Sequence, residues 1–336
     1  MDILKELKSK KYNSVFESIK LLLAQFESSL SYEIKFPSSY KNIKNVCLCG
    51  MGGSALSAHI IKALNEVKVP FCFYNDYEPP KFVSKDTLFI ASSYSGNTEE
   101  VFTGIEEAVR RKAKVCVITS GGKLEKKYKN LYPTIIFDIK LNPSNQPRYG
   151  LGYALGALFN IFIKLGLMDY RVNLLKDISS NLQAPSIKEA ESMARELFEK
   201  APIIVAAEFL EGNAHIFVNQ INETAKVFSE YHSIPELNHH LMEGLKRPDL
   251  TSKYLKFLFL DSVFYGSKNR RRFGITKEVV KKNKIDYTEY KVSGKTQIEQ
   301  VLNFLFFGSL VSLVLAIFYK ESPTDIPWVN YFKSKL

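Results

Sequence analysis

Cysteine is scarce in this sequence of 336 residues: there are four, Cys47, Cys49, Cys72 and Cys116, all in apolar runs, and none forms a Cys-x-x-Cys pair. That distribution argues against a zinc ribbon, a thioredoxin-like redox pair and a disulfide-stapled scaffold, and leaves buried reduced thiols. Histidine is sparse too, with five residues and no tight ligand spacing, so a metal site is not expected. The opening Met1-Asp2-Ile3-Leu4-Lys5-Glu6 mixes charges at once and lacks the apolar core of a secretory signal, which together with the free thiols predicts a reducing cytosol. Long hydrophobic runs are also few. One, over residues 301–319, approaches the length of a bilayer span as a helix, but Asn303, Gly308, Ser309 and Ser312 interrupt it and no second run accompanies it. A helix buried between domains or subunits is therefore expected, and no membrane partner.

What is present describes a globular protein of two domains: 46% hydrophobic and 24% charged residues over a length that exceeds one minimal domain. The 46 basic against 35 acidic residues give a net charge of +11, which favours anionic partners. Phosphorylated metabolites and nucleic acid both satisfy that condition. The basic clusters Lys268-Asn269-Arg270-Arg271-Arg272 and Lys281-Lys282-Asn283-Lys284 lack interleaved stacking aromatics or a helix-turn-helix pattern, so they read as solvated faces and nucleic acid is not an expected partner.

Apolar residues spaced among charges in the first thirty positions predict one or two amphipathic helices. From residue 45 short apolar strands (46–49, 69–74, 87–92, 115–119, 134–137) alternate with helical stretches such as 54–65 and 98–112. This alternation is the signature of an α/β fold with a parallel sheet flanked by helices. The second half repeats the order: Ile203-Ile204-Val205-Ala206-Ala207 and a helix over 212–228 answer to the first strand and helix, and the run 258–266 answers to 88–96. A tandem duplication of one α/β unit follows. Loops of the second copy lack the glycine cluster and most of the hydroxyls of the first, so only the first is expected to bind phosphate.

Gly50-Met51-Gly52-Gly53-Ser54-Ala55 leaves a strand and opens a helix, presenting backbone N–H groups and a positive helix end to an anion. It also matches G-x-G-x-x-A with Asp76 downstream, the pattern of a dinucleotide site. Ser93-Tyr94-Ser95-Gly96-Asn97-Thr98 is a second turn of the same placement, rich in hydroxyls. Three hydroxyls with free N–H groups suit a terminal phosphate monoester better than a bridging pyrophosphate. An N-cap at Thr98, followed by Glu99 and Glu100, accounts for that turn without a ligand, but not for two such turns.

The sequence resembles the sugar isomerase domain family, and within it the bifunctional phosphoglucose/phosphomannose isomerases. Five elements carry the resemblance: Cys49-Gly50-Met51-Gly52-Gly53-Ser54, residues 93–98, Pro147-Arg148-Tyr149-Gly150, Asn222-Glu223-Thr224-Ala225-Lys226, and Pro235-Glu236-Leu237-Asn238-His239. The resemblance implies two tandem sugar-isomerase-type α/β domains. It also implies a phosphate site on Gly52, Gly53, Ser54, Ser93, Ser95 and Thr98. Glu223 is implied as the base that moves a proton between C1 and C2, a task for a carboxylate that can both take and return it. Arg148 is implied as the cation facing the enediolate oxygens. His239 is implied as the ring-opening histidine, reaching the site from a neighbouring subunit of a homodimer, and Lys333 as a C-terminal ring-opening lysine, with Lys335 a near competitor. Ala55, Ser322 and Trp328 depart from the family pattern.

The expected organisation is an N-terminal helical segment (1–40), a first, phosphate-binding domain (41–170), a second domain (171–320) and a C-terminal tail (321–336). The expected activity is isomerisation of glucose 6-phosphate, and of mannose 6-phosphate, to fructose 6-phosphate through a cis-enediol, with a sugar phosphate as partner and no cofactor. A non-catalytic sugar-phosphate sensor and a dinucleotide-dependent oxidoreductase are the rival readings.

Overall fold

A computed structural model describes residues 2–335. The chain divides into two compact units, Leu21–Leu182 and Met1–Lys20 with Gln183–Leu336. The divisions at 20 and 182 differ from those expected at 40 and 170. Three short helices form the opening, Ile3–Leu7, Asn13–Lys20 and Leu22–Leu30, and the boundary falls between the second and third.

In the unit Leu21–Leu182 five strands form one parallel sheet: β1 Asn45–Gly50, β2 Phe71–Tyr74, β3 Thr87–Ser93, β4 Lys114–Thr119 and β5 Thr134–Ile136. Their order is β2-β1-β3-β4-β5, with Cys47 opposite Cys72 on one side and Phe89 on the other. The central strand β3 is buried along its whole length, as a strand covered on both faces requires. Cys47, Cys49, Phe89, Val115 and Val117 pack beneath Val101, Ile105 and Leu124. On the helical side, Leu22–Leu30 lies against Leu151–Lys164 so closely that a Cβ on Gly156 would come 2.2 Å from the Phe26 carbonyl. All four cysteines are free thiols.

In the other unit four strands, β6 Ala201–Ala207, β7 Glu230–Ile234, β8 Leu255–Asp261 and β9 Asp286–Lys291, form a second parallel sheet in the order β7-β6-β8-β9. This is the order of the first sheet without its fifth strand, so the two units repeat one topology. The helix expected over 212–228 is shorter. Its α-helical part is Glu211–Gln220, a single π-turn Ile221–Ala225 follows, and the chain leaves it at Lys226 in a left-handed conformation.

Residues 301–319 belong to the helix Gln297–Phe318, which by length and apolarity alone is able to cross a membrane. It is instead buried within the chain. Of its most apolar window 89% is buried, and its polar interruptions are used: Ser309 and Ser312 are fully buried, and Gly308 lies where a Cβ would meet the Phe217 ring at 3.1 Å.

Candidate functional site

In a doubly wound sheet, ligands bind beyond the carboxyl ends of the strands where the chain reverses its direction of winding. In the first unit that point lies between β1 and β3, because β2 is on the far side of β1 and β4 on the far side of β3. The two loops singled out in the sequence follow these two strands.

Gly52 has φ +48° and ψ −129°, a backbone that glycine alone adopts without strain, and it precedes the helix Gly53–Leu64. Gly53 is constrained differently. A Cβ there would lie 2.9 Å from Pro147 Cβ and 3.1 Å from the Arg148 amide nitrogen, so the first loop lies directly against the turn that carries Arg148. The loops are also joined through Ser54: its hydroxyl accepts the Tyr94 N–H at 2.8 Å, and its carbonyl accepts the Ser92 hydroxyl at 2.8 Å. Holding the Tyr94 N–H leaves the Ser54 O–H able to donate to an anion.

The three hydroxyls of the second loop have different settings. Ser93 is buried; its oxygen accepts the Gly96 N–H at 3.1 Å and pairs with the Thr98 hydroxyl at 2.7 Å. It acts as a staple inside the loop. Thr98 occupies the N-cap position of Glu99–Arg110, yet its side chain makes no capping bond, so the plain N-cap reading of this residue does not describe it. Ser95 is exposed and accepts the Asn97 N–H at 3.3 Å.

Arg148 is 2% exposed on the short helical turn Pro147–Tyr149. Its Nη1 donates to Gln146 Oε1 at 3.0 Å and its guanidinium lies 5.7 Å from the centre of the Tyr149 ring. Burying a guanidinium is costly without such partners, so its position is well determined. Asn142 ties this turn to the second loop: its amide donates to the Tyr94 hydroxyl at 2.8 Å and to the Gln146 carbonyl at 2.9 Å. Burial holds the Tyr94 phenol above its ordinary pKa, so it stays neutral. Gly52, Gly53, Ser54, Ser93, Ser95, Thr98 and Arg148 thus fall within three adjoining loops, the second hydrogen-bonded to the other two and the first packed against the Arg148 turn. Tyr94, Asn142 and Gln146, which hold them together, were not singled out in the sequence; the run Asn142-Pro143-Ser144-Asn145, with turn residues at every position, was the available signal.

The second unit carries the other candidates. Glu223 is half-buried on the π-turn, a helix irregularity that recurs at functional sites. Asn222 closes that turn onto Ser229 by two hydrogen bonds of 3.0 and 3.1 Å, and the Ser229 hydroxyl donates to the Pro202 carbonyl of β6. A cleft of about 610 Å³ opens beside the turn, lined among others by Asn222, Glu223, Lys226, Phe228, Asp325 and Trp328. His239 is exposed on the short helical turn Glu236–His239, and Lys333 is exposed at the end of the helix Pro327–Lys333, which buries none of its residues. Neither lines the cleft beside Glu223. Among the described residues no group of three or more His, Cys, Asp or Glu side chains is placed to hold a metal ion.

The equivalent point of the second sheet lies between β6 and β8. There the carboxylate of Glu208 accepts the Gly266 N–H at 2.9 Å and the Asn269 amide at 2.7 Å. Glu208 itself stands in a left-handed conformation with φ +51°. The start of the helix Ser267–Lys282 is therefore already supplied with a negative charge from within the chain.

Two parallel sheets of one topology, each with its switch point elaborated by loops, define a protein of tandem sugar isomerase (SIS) domains. Residues 39–126 match the model of the SIS domain and residues 186–336 that of the bacterial phospho-glucose isomerase C-terminal SIS domain. The bifunctional phosphoglucose/phosphomannose isomerase of Caldicellulosiruptor bescii is 30% identical over 339 residues, covering 96% of this chain and 98% of that protein; the protein of the same name from Thermoplasma volcanium is 31% identical over 317 residues, covering 92% and 97%. A crystal structure of tagatose-6-phosphate ketose/aldose isomerase from Escherichia coli shares the fold, with a TM-score of 0.68 at 14% identity over 94% of each chain. The chain belongs to the family of bifunctional phosphoglucose/phosphomannose isomerases.

Proposed function

We propose that the protein interconverts aldose and ketose 6-phosphates, taking glucose 6-phosphate and mannose 6-phosphate to fructose 6-phosphate. The observation that carries this reading is the near full-length similarity to enzymes of that name, with Glu223 standing in an Asn-Glu element of this sequence. The chemistry is proton transfer within one molecule. Glu223 removes the proton from C2 of the open-chain aldose while the C1 carbonyl oxygen gains one, giving a cis-enediol; the proton then returns to C1 as the C2 oxygen loses its own. Carbon oxidation at C2 balances reduction at C1, so the reaction needs no external oxidant or reductant.

In this reading the substrate phosphate is held by the N–H groups of Gly52 and Gly53 and by the hydroxyls of Ser54, Ser95 and Thr98, with Ser93 acting through Thr98; the Ser54 N–H is engaged by the Met51 carbonyl at 3.1 Å. Arg148 supplies a fixed cation for the enediolate. His239 serves ring opening from a second copy in a homodimer, and Lys333 does so from the C-terminal helix. The exposure of Trp328, Tyr331 and Phe332 on that helix supports an assembly of copies, and the free thiols fit a cytosolic setting. Glu223→Gln should lower isomerisation at least a thousandfold while glucose 6-phosphate still raises the thermal midpoint. Substantial turnover in that variant would sink the assignment of the base.

A further inference from the structure

Lys226 ends the π-turn that carries Glu223, in a place where helices ordinarily put glycine. Its φ of +58° and ψ of 31° are left-handed, a conformation that is unfavourable for a side-chain-bearing residue. A lysine that carries this strain does something a glycine cannot. Its ammonium turns back to donate to the Glu223 carbonyl at 2.7 Å and the Thr224 carbonyl at 3.4 Å, and reaches across to the Ser322 carbonyl at 2.7 Å. The last carbonyls of a helix lack intrahelical partners, and a cation is their natural complement. Here the same cation also binds a segment 96 residues further along the chain.

That segment is the opposite wall of the cleft. Glu321, Ser322, Asp325, Ile326, Pro327, Trp328 and Val329 face Asn222, Glu223 and Phe228 around a volume of about 610 Å³, and Lys226 is part of the lining. The helix Pro327–Lys333 contributes no buried residue that would fix this wall by packing, and Trp328 is 80% exposed. At the segment's base Pro323 is buried, and the bond from Lys226 to the adjacent Ser322 carbonyl ties that base to the Glu223 turn.

We propose that Lys226 is a positioning residue that bridges the Glu223 turn to the C-terminal segment and so sets the width of the substrate cleft. This rests on the reading of Glu223 as the base. A wall displaced by an ångström alters how the open-chain sugar is presented to a carboxylate, and misplacement of that size costs of order a hundredfold in rate.

Lys226→Gly separates this role from simple helix capping, because it supplies the residue that the left-handed backbone prefers and removes only the ammonium. Its thermal midpoint should equal or exceed that of the native protein. Its kcat/KM with glucose 6-phosphate should nevertheless fall at least tenfold, and amide hydrogen exchange of residues 321–329 should quicken. Lys226→Met should behave likewise, and Lys226→Arg, which keeps a cation on a long stem, should recover most of the loss. Native kcat and KM in Lys226→Gly, or unchanged exchange of 321–329, overturns the proposal. If Lys226→Gly does not fold, the contrast between methionine and arginine reads the same quantity. The exchange measurement needs no turnover, so a failed bridge is distinguishable from a mistaken assignment of the reaction.

Discussion

The Gln220 side-chain amide donates a hydrogen bond of 2.8 Å to the Ser309 hydroxyl, joining the residue just before the π-turn to the middle of the long core helix. Both residues are at most 1% exposed, and the Ser309 hydroxyl donates in turn to the Leu305 carbonyl at 2.7 Å. The serine that argued in the sequence against a membrane span is thus a support for the turn that bears Glu223.

Ser309→Ala deletes the acceptor of the Gln220 bond and the donor to the Leu305 carbonyl inside the core, at a cost of about 1–3 kcal/mol. The urea midpoint should fall accordingly. Replacing both partners, Gln220→Met with Ser309→Ala, removes both ends of the bond and should recover part of the loss. A double variant as unstable as the sum of the single ones contradicts the coupling.

The two neighbouring glycines of the phosphate loop should fail for opposite reasons. Around Gly52 there is room for a Cβ, with no atom within 4 Å, but the backbone conformation is wrong for it. At Gly53 the conformation is acceptable, and the obstacle is Pro147 at 2.9 Å. Gly52→Ala should therefore destabilise by about 1–2 kcal/mol and disturb the loop alone. Gly53→Ala should push on the Arg148 turn and lower kcat as well as raise KM, at least tenfold in kcat/KM. Steady-state kinetics of the two variants beside their thermal midpoints separate these effects; a Gly53→Ala enzyme with native kcat contradicts the contact.

Much of the scaffold was legible because parallel strands buried on both faces are written as continuous apolar runs. Leu48 and Cys49, or Ile204 and Val205, announce their strands without reference to anything distant. By contrast β7, with Glu230, Tyr231, His232 and Ser233, is an edge strand whose residues are mostly half-exposed, and its composition gives no such signal. The glycine and hydroxyl loops were visible because phosphate chemistry needs particular residue types. How the hydroxyls divide their work was not, since Ser93 is buried and Ser95 exposed in a loop whose Gly96 lies against Gly121, a contact between segments far apart in sequence. Glu208 shows the limit most clearly. Its loop shows no glycine cluster in the sequence, but its carboxylate filling the place beside Gly266 depends on strands whose paired residues, such as Ala201 and Leu255, are far apart in sequence and meet as neighbours.

Burial lowers the pKa of His215, which stacks edge-on against Tyr231 at 4.9 Å and lies 3.3 Å from the Asn219 amide, and it lowers that of His232 as well. In the unfolded chain both titrate near the usual value of about 6.5. Between that value and the lower folded one, the unfolded state binds more protons than the folded state, so stability rises with pH across the window and is lost as the solution is acidified through it. The limiting slope is about 1.4 kcal/mol per pH unit for each fully discriminated proton, and partial exposure reduces it here. Urea midpoints should accordingly decline from pH 7.5 to 5.5, and His215→Gln, whose amide can still meet Asn219 but takes up no proton, should flatten that decline. An equally steep decline in the variant assigns the acid sensitivity to other groups.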